Sequence, residues 1–150
     1  MIRISVEGVP APKGSFRISS RGRGRRPSVR KDSPATEAWE QRVGWAARMA
    51  MRGQAMFVDQ ALAFDVVFRL PRPDGHYGAL GLLPSKADAE ASVKPDWDKL
   101  LRSTCDALQG LVYDEDSRIV RGVCEKRYVR PGEEPGAVIE VSIYERSKAA

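Results

Sequence analysis

Apolar and polar residues alternate at the amino terminus. Ile2, Ile4 and Val6 fall on one face of an extended segment that Pro10 and Pro12 end, which predicts a first strand. After Ser33 and Pro34, a cap and first-turn pair, the period changes. Trp39, Val43, Ala46, Ala47 and Met51 recur every three or four positions and stop near Gly53, so the spacing predicts a helix with one face on the sheet. Alternation returns from Gln60 to Leu70, where Leu62, Phe64, Val66 and Phe68 share a face and Pro71 and Pro73 end the strand. A second helical stripe (Trp97, Leu100, Leu101, Thr104, Leu108) runs from Asp96 to about Gln109, with Gly110 as its C-terminal cap. Two more strands, about Arg118 to Val129 and Ala137 to Tyr144, are joined by the turn residues Pro131, Gly132, Pro135 and Gly136. The order strand, helix, strand, helix, strand, strand predicts an α+β fold: a small mixed β-sheet packed by two main helices.

Three stretches lack a period: a loop over about 11–33, a long surface loop over about 71–95, and a frayed tail over 145–150. At 150 residues the chain suits one domain, which can bury about two-thirds of its unfolded surface. It is 42% apolar and 30% charged, and it has no run near the ~20 apolar residues of a membrane helix. The first residues lack the apolar core of a secretory signal, so the expected compartment is the cytoplasm and no membrane partner is expected. Cys105 and Cys124 fit no metal spacing and are expected to be reduced, small core residues.

The net charge of +5 is unevenly placed. Lys13, Arg17, Arg21, Arg23, Arg25, Arg26, Arg30 and Lys31 succeed one another with no acidic residue between them and with Gly14, Gly22 and Gly24 interspersed. Such a segment repels itself and can follow a phosphate backbone. The alternatives are a solubilising loop or a membrane-surface patch. The segment lacks the apolar face of a membrane-binding amphipathic helix, which favours nucleic acid.

Candidate chemistry sits later in the chain. Asp96 and Asp98, one residue apart, stand at the start of the second helix. Taken alone, Asp96 reads as a helix cap and Asp98 as a complement to the helix dipole. A second acidic cluster, Asp114, Glu115 and Asp116, follows the glycine that closes the same helix. If the fold joins the clusters, their carboxylates must repel one another or share a cation, and an oxygen-only donor set selects Mg²⁺ or Mn²⁺ over zinc. His76 is the only histidine, so a multi-histidine metal site is excluded and a Ser/His/Asp triad would rest on one loop residue. No Walker loop or Rossmann glycine pattern is present, so no nucleotide cofactor is expected. Asp98, Arg102 and Asp106 share a helix face, either as an ion-pair ladder or with Arg102 as a cation for a scissile phosphate.

Three blocks of sequence carry a resemblance: Lys94-Pro95-Asp96-Trp97-Asp98-Lys99-Leu100-Leu101, then Asp106-Ala107-Leu108 with Gly110, then Tyr113-Asp114-Glu115-Asp116-Ser117-Arg118-Ile119-Val120. Over residues 94–120 the chain is similar to the RusA-type Holliday junction resolvases. That resemblance implies a metal-dependent, homodimeric endodeoxyribonuclease that cuts four-way DNA junctions by paired symmetric nicks. It puts the metal-site aspartates on Asp96, Asp98 and Asp116, holding Mg²⁺ with Mn²⁺ as a substitute. Two departures stand out: Lys99 replaces the family's usual Asn, and Arg102 stands where the family has its catalytic Lys. Arginine keeps the charge and the phosphate contact but cannot readily give up a proton. Lys94 and Lys99 could stand in for it, and they join the basic loop as expected DNA contacts. The rival readings are a junction-binding module that does not cleave and a basic RNA-associated protein whose carboxylates are caps and solvated charge.

Overall fold

The computed structural model describes residues 1–14 and 32–146. Strict alternation builds the first strand, β1 (Ile2–Glu7), with Ile2, Ile4 and Val6 buried and Arg3, Ser5 and Glu7 exposed. Helix α1 (Pro34–Met51) starts where the cap signal predicts: the Thr36 N–H donates to Ser33 Oγ at 3.2 Å, and Pro34 fills the first turn. It stops one residue before the expected glycine, on Arg52 in the left-handed region at φ 47°. Strand β2 (Leu62–Leu70) buries every second side chain. Helix α2 (Trp97–Leu108) follows, then β5 (Ile119–Tyr128) and β6 (Gly136–Ile143).

The sheet runs β1-β6-β2-β5, with β6 antiparallel to both neighbours and β2 parallel to β5. The turn after Val129 therefore does not make a hairpin of the last two strands. It carries the chain past β2, so that β6 fills the space between β1 and β2 and both of its edges find partners. Close approach to β1 explains Gly136, because a Cβ there would collide with the Val6 carbonyl. The buried face of the sheet (Ile4, Val6, Phe64, Phe68, Ile139) packs with Trp39 and Val43 of α1 and Leu100 and Leu108 of α2 in one core. Trp39 is buried, and its Nε1 donates to Thr104 Oγ1 at 3.1 Å, which joins the two helices by a polar contact inside that core.

The long connection over 71–95 is more organised than a surface loop. It holds 3₁₀ turns at Asp74–His76 and Pro84–Lys86 and a two-residue hairpin of β3 (Tyr77–Gly78) and β4 (Gly81–Leu82). One side chain supplies much of the order. Arg72 Nε donates to the Val129 carbonyl at 2.9 Å, Nη1 to Lys86 at 2.7 Å and Nη2 to Ala87 at 3.0 Å. Its guanidinium also lies over the Tyr128 ring, 5.5 Å from the centroid, and His76 meets the same ring edge-on. Among the described residues no helix is long and apolar enough to cross a membrane. Residues 15–31 and 147–150 lie outside the described part of the chain, and with them most of the basic loop and of the expected tail.

Candidate active site

Parallel pairing of β2 with β5 requires a crossover, and α2 lies within it. The helix runs beside β5. At its first turn Trp97 Nε1 donates to the Cys124 carbonyl at 2.8 Å. Trp97, the first residue of the predicted apolar stripe, is 46% exposed. Residues Leu100, Ser103, Thr104 and Leu108 take the inner face, and Leu101 is only half-buried. The approach to the helix is pinned by Lys126, whose ammonium donates to the carbonyls of Val93 at 2.6 Å and Pro95 at 2.9 Å. Nothing local in the sequence marks Lys126, because its partners lie some thirty residues earlier.

Asp96 occupies the N-cap position, yet its side chain caps nothing; its Oδ2 pairs with Lys99 Nζ at 3.1 Å. Among the described residues, Asp98, Arg102 and Asp116 have no ion-pair or hydrogen-bond partner through their side chains, and all three are exposed. The ion-pair ladder along α2 is therefore not formed: Asp106 pairs with Lys13 at 3.3 Å rather than with Arg102. The second acidic cluster separates in the same way. Arg118 grips Asp114 with Nε and Nη2 at 2.9–3.3 Å and reaches Asp59 at 2.8 Å. That hydrogen-bonded guanidinium holds the Asp114 carboxyl below its usual range. Glu115 accepts from Ser117 Oγ at 3.2 Å, which leaves Asp116, at the head of a short 3₁₀ turn into β5.

The second acidic segment is tied to α2 by one hydrogen bond. Tyr113 hydroxyl donates to the Cys105 carbonyl at 2.9 Å, anchoring the acidic turn to the helix. Burial pushes the Cys105 thiol up to about 11, and the carboxylates of Asp116 and Asp106 add to the rise. The acidic turn is thus tied to the C-terminal half of α2, whereas Asp98 stands in its first turn. Among the described residues no three His, Cys, Asp or Glu side chains stand together in a group that could hold a metal ion. By donor chemistry alone the three carboxylates, oxygens throughout and unburdened by capping or structural ion pairs apart from Lys99, are of the class a hard cation takes.

The remaining expected contacts divide. Lys94 is exposed beside the motif. Lys13 is not a free cation, since it pairs with Glu40 at 2.8 Å, Asp32 at 2.9 Å and Asp106 at 3.3 Å. Arg17, Arg21, Arg23, Arg25, Arg26, Arg30 and Lys31 lie outside the described residues. The cysteines, expected in the core, are half-buried and line one cavity between α2 and β5. Its low-dielectric wall also pushes the Cys124 thiol up to about 12, so both stay protonated at neutral pH.

The family model described as Endodeoxyribonuclease RusA matches residues 7–142. No curated protein matches the chain.

Proposed function

The chain belongs to the RusA endodeoxyribonuclease family, and from that premise we propose that it is a cytoplasmic, Mg²⁺-dependent nuclease that resolves four-way DNA junctions as a homodimer. The observation that carries the reading is the division of labour among the acidic residues. Asp114 and Asp106 are spent on Arg118 and Lys13, whereas Asp98 and Asp116 remain exposed and Asp96 leaves its cap role empty. Asp96, Asp98 and Asp116 would hold Mg²⁺, with Mn²⁺ as a substitute, and the bound ion would supply an activated water and stabilise the leaving oxygen. Arg102, one helical turn beyond Asp98, donates to the scissile phosphate and offsets the charge that develops there. As a guanidinium it acts through hydrogen bonds and not as a proton donor. The Arg-rich segment from Arg17 to Lys31, together with Lys94 and Lys99, neutralises backbone phosphates, so binding falls steeply with added salt. A four-way junction has approximate two-fold symmetry, and a two-fold dimer presents one site to each of two opposing strands.

The test mixes purified protein with a labelled four-way junction and Mg²⁺ or Mn²⁺, alongside Asp96→Asn. The wild type is expected to nick two opposing strands, while Asp96→Asn binds the junction and leaves it whole. An intact junction with the wild type across both metals sinks the activity. The Lys99–Asp96 pair favours a second reading, in which the cation fills the place of a metal and the protein binds junctions without cutting them. That reading expects tight binding indifferent to Mg²⁺ and to Asp→Asn changes.

A further inference from the structure

Between α2 and the outer strand lies a cavity of about 310 Å³, walled by Trp97, Leu101 and Cys105 on one side and Ile119 and Val123 on the other, with Phe64 at its floor. Three features set it apart from a packing defect. Its entrance is an aromatic ring that is half exposed and yet held rigid, because Trp97 Nε1 is bonded to the Cys124 carbonyl. Asp96 and Asp98 flank that ring in sequence, and Cys105 in the wall is bonded through its carbonyl to Tyr113 of the acidic turn, so both acidic segments adjoin the lining. Finally, among the described residues β5 has no strand on its outer side. The Cys124 carbonyl points outward to Trp97, and by the alternation of a strand the N–H and C=O of Gly122 point the same way. On that side of the edge strand the described residues place no ladder partner, and Gly122 has no side chain to cover these groups. Arg121 also lines the cavity, and its nearest carboxylate, Asp65, is 3.9 Å away.

An aromatic face, an apolar slot and a free backbone donor and acceptor are what a single planar, hydrogen-bonding heterocycle requires. The volume is at the small end of the ~300–1,000 Å³ found for ligand pockets, too small for a helix of another protein. A second copy of the chain seated over Trp97 would also cover Asp96 and Asp98 and shut DNA out. We propose that this cavity receives one unstacked nucleobase of the DNA beside the scissile phosphate, with Trp97 stacking on it and the Gly122 backbone reading its edge. The cavity then sets the base preference of the cut. The inference rests on the nuclease reading above. A branch point suits it, because bases there are already poorly stacked and unstacking them costs little.

Junctions carrying 2-aminopurine on either side of the cut provide the test, with fluorescence read in EDTA so that binding is seen without cleavage. The wild type is expected to brighten the probe at one position only. Trp97→Ala is expected to lose that signal, bind the junction roughly tenfold or more weakly and cut with less base discrimination, whereas Trp97→Phe restores stacking and most of the signal. Leu101→Trp, which fills the slot, is expected to bind junctions yet give no signal. Wild-type cleavage without brightening at any position overturns the base pocket and leaves the nuclease reading intact. Conversion of a dimer to a monomer by Trp97→Ala overturns it in favour of a protein interface. Failure of the wild type to bind or cut any junction overturns both readings.

Discussion

Replacing Lys13 with methionine removes the one cation that, among the described residues, pairs with three carboxylates, Asp32, Glu40 and Asp106, at 2.8–3.3 Å. The side chains are only 23–38% exposed, so the pairs are partly desolvated and held by charged hydrogen bonds. Loss of the ammonium leaves like charges facing one another across an apolar chain. Because the carboxylates can turn toward water, the full buried-pair penalty does not apply and about 2 kcal/mol is expected. For a domain of this size that lowers Tm by roughly 4–8 °C. The sign with pH is fixed. Partial burial opposes the charge, but the hydrogen bonds the ammonium donates to Glu40 and Asp32 outweigh it and raise Lys13 above its ordinary value of 10.5. A raised folded value stabilises fully below 10.5 and is lost as the pH rises through it. Scanning calorimetry of wild type, Lys13→Met and Lys13→Arg is therefore expected to show a gap that is constant near neutrality and narrows in strong alkali, with arginine recovering most of it. Adding Asp106→Asn to Lys13→Met should regain part of the loss by removing one repulsive neighbour. A Lys13→Met protein melting within about 1 °C of wild type would mean that the cluster is solvated charge and not a clamp.

On the nuclease reading, Arg102→Ala lowers kcat by about 10²–10³, whereas Arg102→Lys stays within about tenfold, measured in single-turnover junction cleavage. Equal losses in both would place the need on the guanidinium fork and not on the charge. Glu133 accepts from both Nη atoms of Arg127 and from the Arg130 N–H, and these bonds hold its carboxyl down at about 2, below its ordinary 4.5. A lowered value stabilises above 4.5 and is lost as pH falls toward 2. After discounting for solvent, Glu133→Gln is expected to cost about 1 kcal/mol near neutrality and to converge with wild type in acid melts. Trp39→Phe strips Thr104 Oγ1 of its buried donor and leaves a small void, for about 2 kcal/mol in urea titration with an unchanged slope. A loss below 0.5 kcal/mol would show that the core refills.

The elements were legible because their periods are local. Ile2, Ile4 and Val6, the Ser33–Pro34 start and the buried alternation of Leu62 to Leu70 needed no knowledge of the rest of the chain. Pairing was not legible: Pro131 to Gly136 marks a turn without saying which strands β6 joins, and the open edges of β1 and β2 explain why it crosses to lie between them. Trp97 fits the apolar stripe of α2, but at the first turn its indole finds the carbonyl of Cys124 and leaves the core. The long loop reads as irregular because the ligands of Arg72 are backbone carbonyls, which have no signature in a sequence. In the candidate site, spacing finds Asp96 and Asp98, and the resemblance selects Asp116. The long-range partners of Asp114 and Asp106 decide which carboxylates are already occupied.

The parallel ladder between β2 and β5 has a consequence for how the protein becomes able to act. Leu62 pairs with Ile119 and Leu70 with Tyr128, contacts of high sequence separation that bear a large loop-closure entropy before they return anything. Asp96 and Asp98 lie inside that loop and Asp116 sits at its closing edge. In an incompletely folded chain those acidic residues are strung along an open coil. On the nuclease reading, hydrolytic competence therefore arrives only when the loop closes, and a chain whose β2–β5 ladder has not formed is unable to cut.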